Sequence, residues 1–375
     1  MSIRTVPPFR ADHVGSLLRP ASLLAARAEH EAGRLSAEQL RAQEDAAISD
    51  VVALQEEVGL RAVTDGELRR GSWHMDFIYE LGGVERSQSN NLLSKFHNEQ
   101  GTIEFTPPTP EVRGKLTLDH TIFGDDFAYL ARTVTQGTPK LTIPSPSMVH
   151  YRGGRAAIDA GVYPEMDAFW ADLGAVYAEE IRRLAELGCT YLQIDDTSFA
   201  YLNDPEQRAA FDERGEHGED QHLTYIATIN AALKGRPEGM TITTHMCRGN
   251  FRSSWVAQGG YDFVAEPLFN ELEVDAFFME YDDERSGTFE PLRLVPKGKL
   301  IVLGLVTSKK AALEDKDDLK RRIEEAARFI DLDQLCLSPQ CGFSSTKEGN
   351  SLTVDEQRAK LALVVETAEE VWGTA

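Results

Sequence analysis

The chain is short of positive charge: its 375 residues carry 39 Lys and Arg against 61 Asp and Glu, a formal balance of −22. That excess would repel a phosphate backbone, and no stretch interleaves basic with aromatic residues. General nucleic-acid binding is therefore disfavoured, as is docking on an anionic membrane. Long apolar runs are missing as well. Nowhere do 18 consecutive apolar residues occur, and Met1 to Pro20 carries polar residues where a signal peptide needs an apolar stretch, so a cytoplasmic location is expected. Cysteine is scarce. In a reducing compartment the four thiols, Cys189, Cys247, Cys336 and Cys341, are not expected to form a disulfide framework, which leaves burial, metal binding or catalysis as their uses.

What is present suffices for a core. The chain is 42% hydrophobic before its 29 glycines are added, so disorder is not expected. Eight short apolar or β-branched runs punctuate the sequence: Ala11 to Leu17, Arg61 to Asp65, Lys140 to Pro144, Tyr191 to Asp195, Met240 to His245, Ala276 to Glu280, Leu300 to Val306 and Leu335 to Ser338. Amphipathic stretches lie between most of them, including Ala37 to Val58, Met166 to Leu187, Glu206 to Leu233, Leu313 to Ile330 and Thr353 to Trp372. Such alternation predicts one α/β domain over residues 1–375, a (β/α)8 TIM barrel, with an open doubly wound sheet as runner-up. Between the second and third strands, Ser87 to about Thr135 is polar. There Thr102 to Phe105 and Lys115 to Leu118 flank a Pro-Pro-Thr-Pro turn region, predicting an antiparallel excursion over the barrel mouth that could shape a pocket. Asp204 to His222 reads as a solvated loop and helix start.

In a parallel barrel the active site lies at the C-terminal strand ends. Here those ends carry Gly15-Ser16, Asp65-Gly66-Glu67, Asp195-Asp196, His245-Met246-Cys247, Glu280 and Pro339-Gln340-Cys341. His245 and Cys247 are two residues apart and project to one side of an extended strand end; with Cys341 and Glu280 they could complete a tetrahedral zinc site. The same residues would equally serve as small buried thiols and a hydrogen-bonded histidine. Cys189 and Cys336, within or before apolar runs, read as core.

THMC at Thr244 to Cys247, FFMEY ending in Glu280-Tyr281 and PQCG at Pro339 to Gly342 together resemble the zinc site of cobalamin-independent methionine synthase. HVGS at His13 to Ser16, GLRAVTDGELRR at Gly59 to Arg70 and YLQIDD at Tyr191 to Asp196 resemble that family in the same order, over nearly the whole chain. The likeness is to its C-terminal catalytic barrel alone. It implies that His245, Cys247, Glu280 and Cys341 ligate Zn2+, that Val14, Gly15 and Ser16 receive the carboxylate of homocysteine, and that Glu67 and Asp195 hold its ammonium group. Asp196 stands where the family usually has Glu.

Two departures bear on the methyl donor. The family's histidine after the seventh strand, thought to act as general acid, is missing from LGLVTSKK at Leu303 to Lys310, where Lys309 is near the matching place. A tryptophan that stacks on the pterin is not evident in Ile143 to Tyr151, where His150 and Tyr151 offer flat faces and His150 is a further acid candidate. An unperturbed ammonium, at a pKa of about 10.4, is a poor acid at neutral pH unless desolvated. The expectation is methyl transfer to homocysteine. A donor whose leaving group needs no proton, such as a methyl-corrinoid delivered by a corrinoid protein or a sulfonium, is expected to serve better than methyl-tetrahydrofolate. Alternatives are alkyl transfer to another thiol, as in epoxyalkane:coenzyme M transferase, a zinc-stabilised binding protein without turnover, and a metal-free barrel related to uroporphyrinogen decarboxylases. His13, before VGS, is either a substrate contact or strand-end packing.

Overall fold

The computed structural model describes residues 4–87, 94–99, 101–106 and 109–375. Six strands, Leu141–Pro144, Tyr191–Asp195, Thr241–Met246, Ala276–Glu280, Leu300–Val306 and Leu335–Pro339, form one parallel sheet in which chain order is also spatial order. Each is sandwiched between other elements, so its residues, polar ones such as Gln193, Thr243 and Thr244 included, are buried nearly throughout rather than alternately. Every residue of Leu300–Val306 is buried. Helices run between the strands. Met166–Glu186 turns Phe169, Leu173, Tyr177, Ile181 and Leu184 inward at helical spacing.

The first two runs are shorter than expected. Ala62–Val63 pairs in parallel with Thr138–Pro139, which leads through Lys140 into Leu141–Pro144. Ala11 makes only an isolated parallel bridge to Leu337, with Asp12 N–H donating to Leu337 O (3.0 Å) and Leu337 N–H to Arg10 O (2.8 Å). The strand predicted over Ala11 to Leu17 stops early because Gly15 takes φ 138°, and a Cβ there would lie 2.6 Å from Thr142 Cγ2. The first and second runs meet through Leu17 N–H to Gly66 O (3.0 Å) and Thr64 Oγ1–H to Gly15 O (2.6 Å). The sheets are thus six strands plus a pair, not one continuous eight-stranded ladder.

Local chemistry accounts for the helix boundaries. Ser36 and Gln39 cap each other's backbone N–H at the start of Ala37–Glu57, and Thr353 and Glu356 do the same for Val354–Trp372. The helix expected from Leu313 begins instead at Lys316, where Asp315 accepts the N–H groups of Asp317 and Asp318. The stretch Glu206 to Leu233 is two helices, Pro205–Glu213 and Gln221–Leu233. Between them Gly215 has φ 77°, and a Cβ on Gly218 would sit 2.5 Å from Arg208 O.

The predicted partners of the excursion do not pair with each other. Gly101–Phe105 is antiparallel to Ser94–Asn98, and Pro110–Thr117 is antiparallel to Gly82–Arg86. Pro107 and Pro108 of the expected turn lie outside the described residues. The Ser94–Asn98 hairpin is clamped onto the loop after Thr241–Met246 by reciprocal His97–Trp255 backbone hydrogen bonds of 2.7 and 2.9 Å. No helix among the described residues is long and apolar enough to cross a membrane.

Candidate functional site

Thr241–Met246 delivers His245 at its end and Cys247 just beyond, while Leu335–Pro339 delivers Cys341. Parallel register sets Asp195 opposite His245, so two strand ends contribute to one mouth. The Cys247 and Cys341 sulfurs are 3.4 Å apart, and with a ring nitrogen of His245 the three ligand atoms lie within 4.8 Å of one another, all buried. One thiol is held well below the usual cysteine range by the S–H···S hydrogen bond and the His245 ring, and the other is pushed up by the same bond and by burial. Neither His245 ring nitrogen makes a hydrogen bond of regular geometry. An imidazole and two thiols, desolvated and short of partners, are the donor set of a tetrahedral zinc site, so the residues fit the metal.

Glu280 is fully buried at its strand end but is not part of this three-residue group. Its Oε2 accepts Arg248 N–H at 2.6 Å, and its Oε1 accepts from Arg285 at 2.9 Å and from Lys309 Nζ at 3.4 Å. Burial would raise this carboxyl; Lys309, Arg285 and Arg248 together hold it far below the carboxylate range.

A cavity of about 180 Å³ joins the sulfur pair to Val14, Ser16, Glu67 and Asp195. Gly15 is not in its wall; it supplies the turn that presents Ser16. Glu67 adopts φ 56°, fixed by its N–H donating to Asp65 Oδ1 at 2.8 Å. Its Oε1 accepts from Thr142 Oγ1 at 2.7 Å, whereas Oε2 is buried without a partner. Asp195 accepts from Gln193 Nε2 at 2.7 Å, and that amide also holds Val14 O at 2.6 Å. Both carboxyls are raised by burial; Arg70 opposes this at Glu67, and His245 opposes it at Asp195, where Glu67 adds to the rise. The cavity is thus lined at one end by two buried carboxyls, of which Glu67 has Arg70 at 3.5 Å from its Oε1 while its Oε2 is left without a partner.

Residues 9–370 match the family described as cobalamin-independent synthase, catalytic domain. The chain belongs to this family. It is 47% identical over 367 residues to the uncharacterised protein YxjH of Bacillus subtilis, covering 97% of this chain and 95% of that one. A crystal structure from Listeria monocytogenes, named as a candidate vitamin-B12-independent methionine synthase, superposes with a TM-score of 0.77 at 37% identity, covering 99% of this chain and 100% of the other. A protein of Pyrococcus abyssi named methionine synthase is 22% identical over 339 residues, 90% of this chain and 87% of that protein.

In this cobalamin-independent synthase relative, neither proton-donor candidate faces the sulfur cavity. Lys309 lines a neighbouring cavity. Burial opposes its charge, yet Glu280 and Asp282 raise its pKa above the usual lysine value. His150 is turned into Tyr225, Phe169 and Trp170, with Nδ1 3.0 Å from the Tyr225 hydroxyl, and burial lowers it to about 3. Tyr151 offers no stacking face either; it is buried against Tyr201 and Phe211. Asp196 accepts from Ser147 and Ser198, and His13 is packed with Nε2 3.1 Å from Ala62 O.

The cavity also has walls that sequence reasoning passed over: Trp73, His74, Arg152, Phe96, Phe105 and Phe251. A Trp-His pair beginning five residues after the GEL of a strand end is a visible signal. Phe96 and Phe105 carry none, because only the hairpin's docking brings them against Phe251 of the loop after Thr241–Met246.

Proposed function

We propose that the chain is a zinc-dependent S-methyltransferase of the methionine synthase type, a single catalytic domain that transfers a methyl group to the thiol of homocysteine. The reading takes the parallel strands as a (β/α)8 barrel joined at its first and second runs by backbone and threonine hydrogen bonds, with the hairpins as its antiparallel excursion. One observation carries it: an imidazole, two thiols and two buried carboxyls, with one oxygen of Glu67 left without a partner, line one cavity.

His245, Cys247 and Cys341 would hold the zinc, with Glu280 as the further ligand implied by the family. Bound there, zinc lowers the pKa of an incoming thiol so that a thiolate exists at neutral pH. Glu67 and Asp195 pair with the substrate ammonium, while the turn at Val14, Gly15 and Ser16 takes the carboxylate, fixing the sulfur at the strand ends. The Arg248 N–H, Arg285 and Lys309 restrain Glu280. Walls of Phe96, Phe105 and Phe251 exclude water. The homocysteine sulfur then forms a bond to the donor methyl as the methyl–donor bond breaks, the electron pair leaving with the donor. A sulfonate thiol such as coenzyme M would meet two buried carboxyls and is the weaker acceptor.

Because Lys309 and His150 are not placed to protonate a leaving nitrogen, a donor that departs unprotonated suits the site best. The test is methionine formation from homocysteine with methyl-tetrahydrofolate mono- and polyglutamates, methylcobalamin and S-methylmethionine offered in parallel. Methionine from at least one donor is expected, with the folates slower. No methionine from any donor would refute the reading, and a higher folate kcat/KM abolished by Lys309→Met would refute the donor ranking.

A further inference from the structure

Beneath the carboxyl-lined end of the cavity two strands carry polar residues where apolar ones would be buried at less cost. Thr142 and Gln193 are register partners on Leu141–Pro144 and Tyr191–Asp195, 2% and 0% exposed, and neither is in the cavity wall. Each nevertheless reaches two parts of the site at once. Gln193 Nε2 donates to Val14 O at 2.6 Å and to Asp195 Oδ1 at 2.7 Å, which commits both hydrogens of one amide. A backbone carbonyl only accepts, so it is the amide nitrogen that faces Val14, and the amide oxygen is left buried without a partner. Thr142 Oγ1 donates to Glu67 Oε1 at 2.7 Å and accepts from Arg70 Nη1 at 3.0 Å, while its Cγ2 packs so close to the turn that a Cβ on Gly15 would lie 2.6 Å from it.

The turn itself is held by its carbonyls. His13 O accepts from Lys140 Nζ, Val14 O from Gln193 Nε2 and Gly15 O from Thr64 Oγ1, each at 2.6 Å. In a trans peptide the N–H points opposite to the carbonyl, so the N–H groups of Val14, Gly15 and Ser16 face away from those three side chains. None of the three donates a hydrogen bond among the described residues. They are the donors left for a carboxylate. The side chain on each carbonyl fixes where that carboxylate sits, and through Gln193 the same hold fixes Asp195.

We propose that Gln193, with Thr142 beside it, is a positioning residue that sets the spacing between the carboxylate turn and the two carboxyls, and so restricts the acceptor to thiols whose amine and carboxylate share one carbon. The assignment rests on homocysteine as the acceptor. One planar amide joins Val14 to Asp195 and one hydroxyl joins the neighbourhood of Gly15 to Glu67, so the two charge-binding parts cannot move apart separately. An acceptor with one more carbon between its charged groups does not reach both while its sulfur stays at the strand ends. Gln193 touches neither charged group of the substrate and acts through Val14 and Asp195.

The zinc-loaded full chain is titrated calorimetrically with homocysteine, with 3-amino-5-mercaptopentanoate, which has one more methylene between amine and carboxylate, and with 1-propanethiol, which lacks both groups. Homocysteine is expected to bind roughly tenfold or more tighter than either. Gln193→Met keeps the length of the side chain and removes both N–H groups. It should weaken homocysteine roughly tenfold and bring it level with its homologue, with zinc content and 1-propanethiol binding unchanged. Thr142→Val should act in the same direction, and Thr142→Ser, which keeps the hydroxyl, should retain the parent's preference. Equal weakening of all three thiols would mark a merely structural role and overturn the proposal, as would an unchanged preference in both Gln193→Met and Thr142→Val; either result leaves the acceptor reading intact. A parent protein that binds homocysteine no tighter than 1-propanethiol would instead remove the acceptor reading, and the proposal with it.

Discussion

Two sulfurs 3.4 Å apart beside an imidazole without a regular hydrogen bond form a buried soft donor set. Replacing Cys247 or Cys341 by Ser exchanges a soft thiolate for a hard alcohol, and purified protein is expected to fall from about one zinc per chain to a small fraction of that. Metal analysis of the two variants checks this, and full occupancy in both would remove the cysteines from the site. Asp195→Asn keeps the shape of the side chain and deletes its charge. Homocysteine affinity should fall by roughly tenfold to a hundredfold, the size of a charge-assisted hydrogen bond of about 1.5–3 kcal/mol, with zinc retained. Calorimetry showing unchanged affinity would place the ammonium elsewhere. At this scale His245, Cys247 and Cys341 are legible in the sequence because strand period and strand-end position converge on one mouth. Thr142 and Gln193 are not, since what marks them is the two contacts each makes from inside a strand. Glu280 is legible as a strand-end carboxylate, but its grip by Arg248, Arg285 and Lys309 depends on contacts no spacing reveals.

Elements whose boundaries rest on local chemistry are readable, as the capping boxes at Ser36 and Thr353 show. The first strand is not, because the backbone turn at Gly15 answers to Thr142, distant in sequence. The helix Met166–Glu186 carries a further consequence. Glu180 is buried on it, with Oε2 accepting the Ile122 N–H at 3.1 Å and no other hydrogen bond among the described residues, and burial pushes its pKa up to about 8. An unfolded glutamate titrates near pH 4.3, about the usual value, so the folded state binds the proton more tightly. The resulting stabilisation is complete below that pH and is lost as pH rises through about 8. Glu180→Gln mimics the neutral acid and should make stability flatter with pH, gaining roughly 1–3 kcal/mol over the parent at pH 8 and little at pH 5. Urea unfolding at the two pH values checks it; a variant less stable than the parent at pH 8 would show that the carboxylate, not the acid, is accommodated.

Across the whole molecule, the parallel α/β layout follows from eight apolar runs alternating with amphipathic stretches, and the family from motifs at the ends of those runs. The pairing of Gly101–Phe105 with Ser94–Asn98, and the aromatic wall it supplies, depend on a hairpin docked by His97 and Trp255, a long-range contact with no sequence period. One cavity brings the buried carboxyls of Glu67 and Asp195 together with Cys247, Cys341 and His245, an arrangement suited to a small amine-bearing thiol held at the strand ends. The most direct test of that account is zinc-edge X-ray absorption on the purified full chain with and without homocysteine. The account predicts about one zinc per chain bound by two protein sulfurs at about 2.3 Å and one imidazole, gaining a third sulfur when homocysteine is added. A zinc-free protein, or a sulfur shell that homocysteine leaves unchanged, would contradict it.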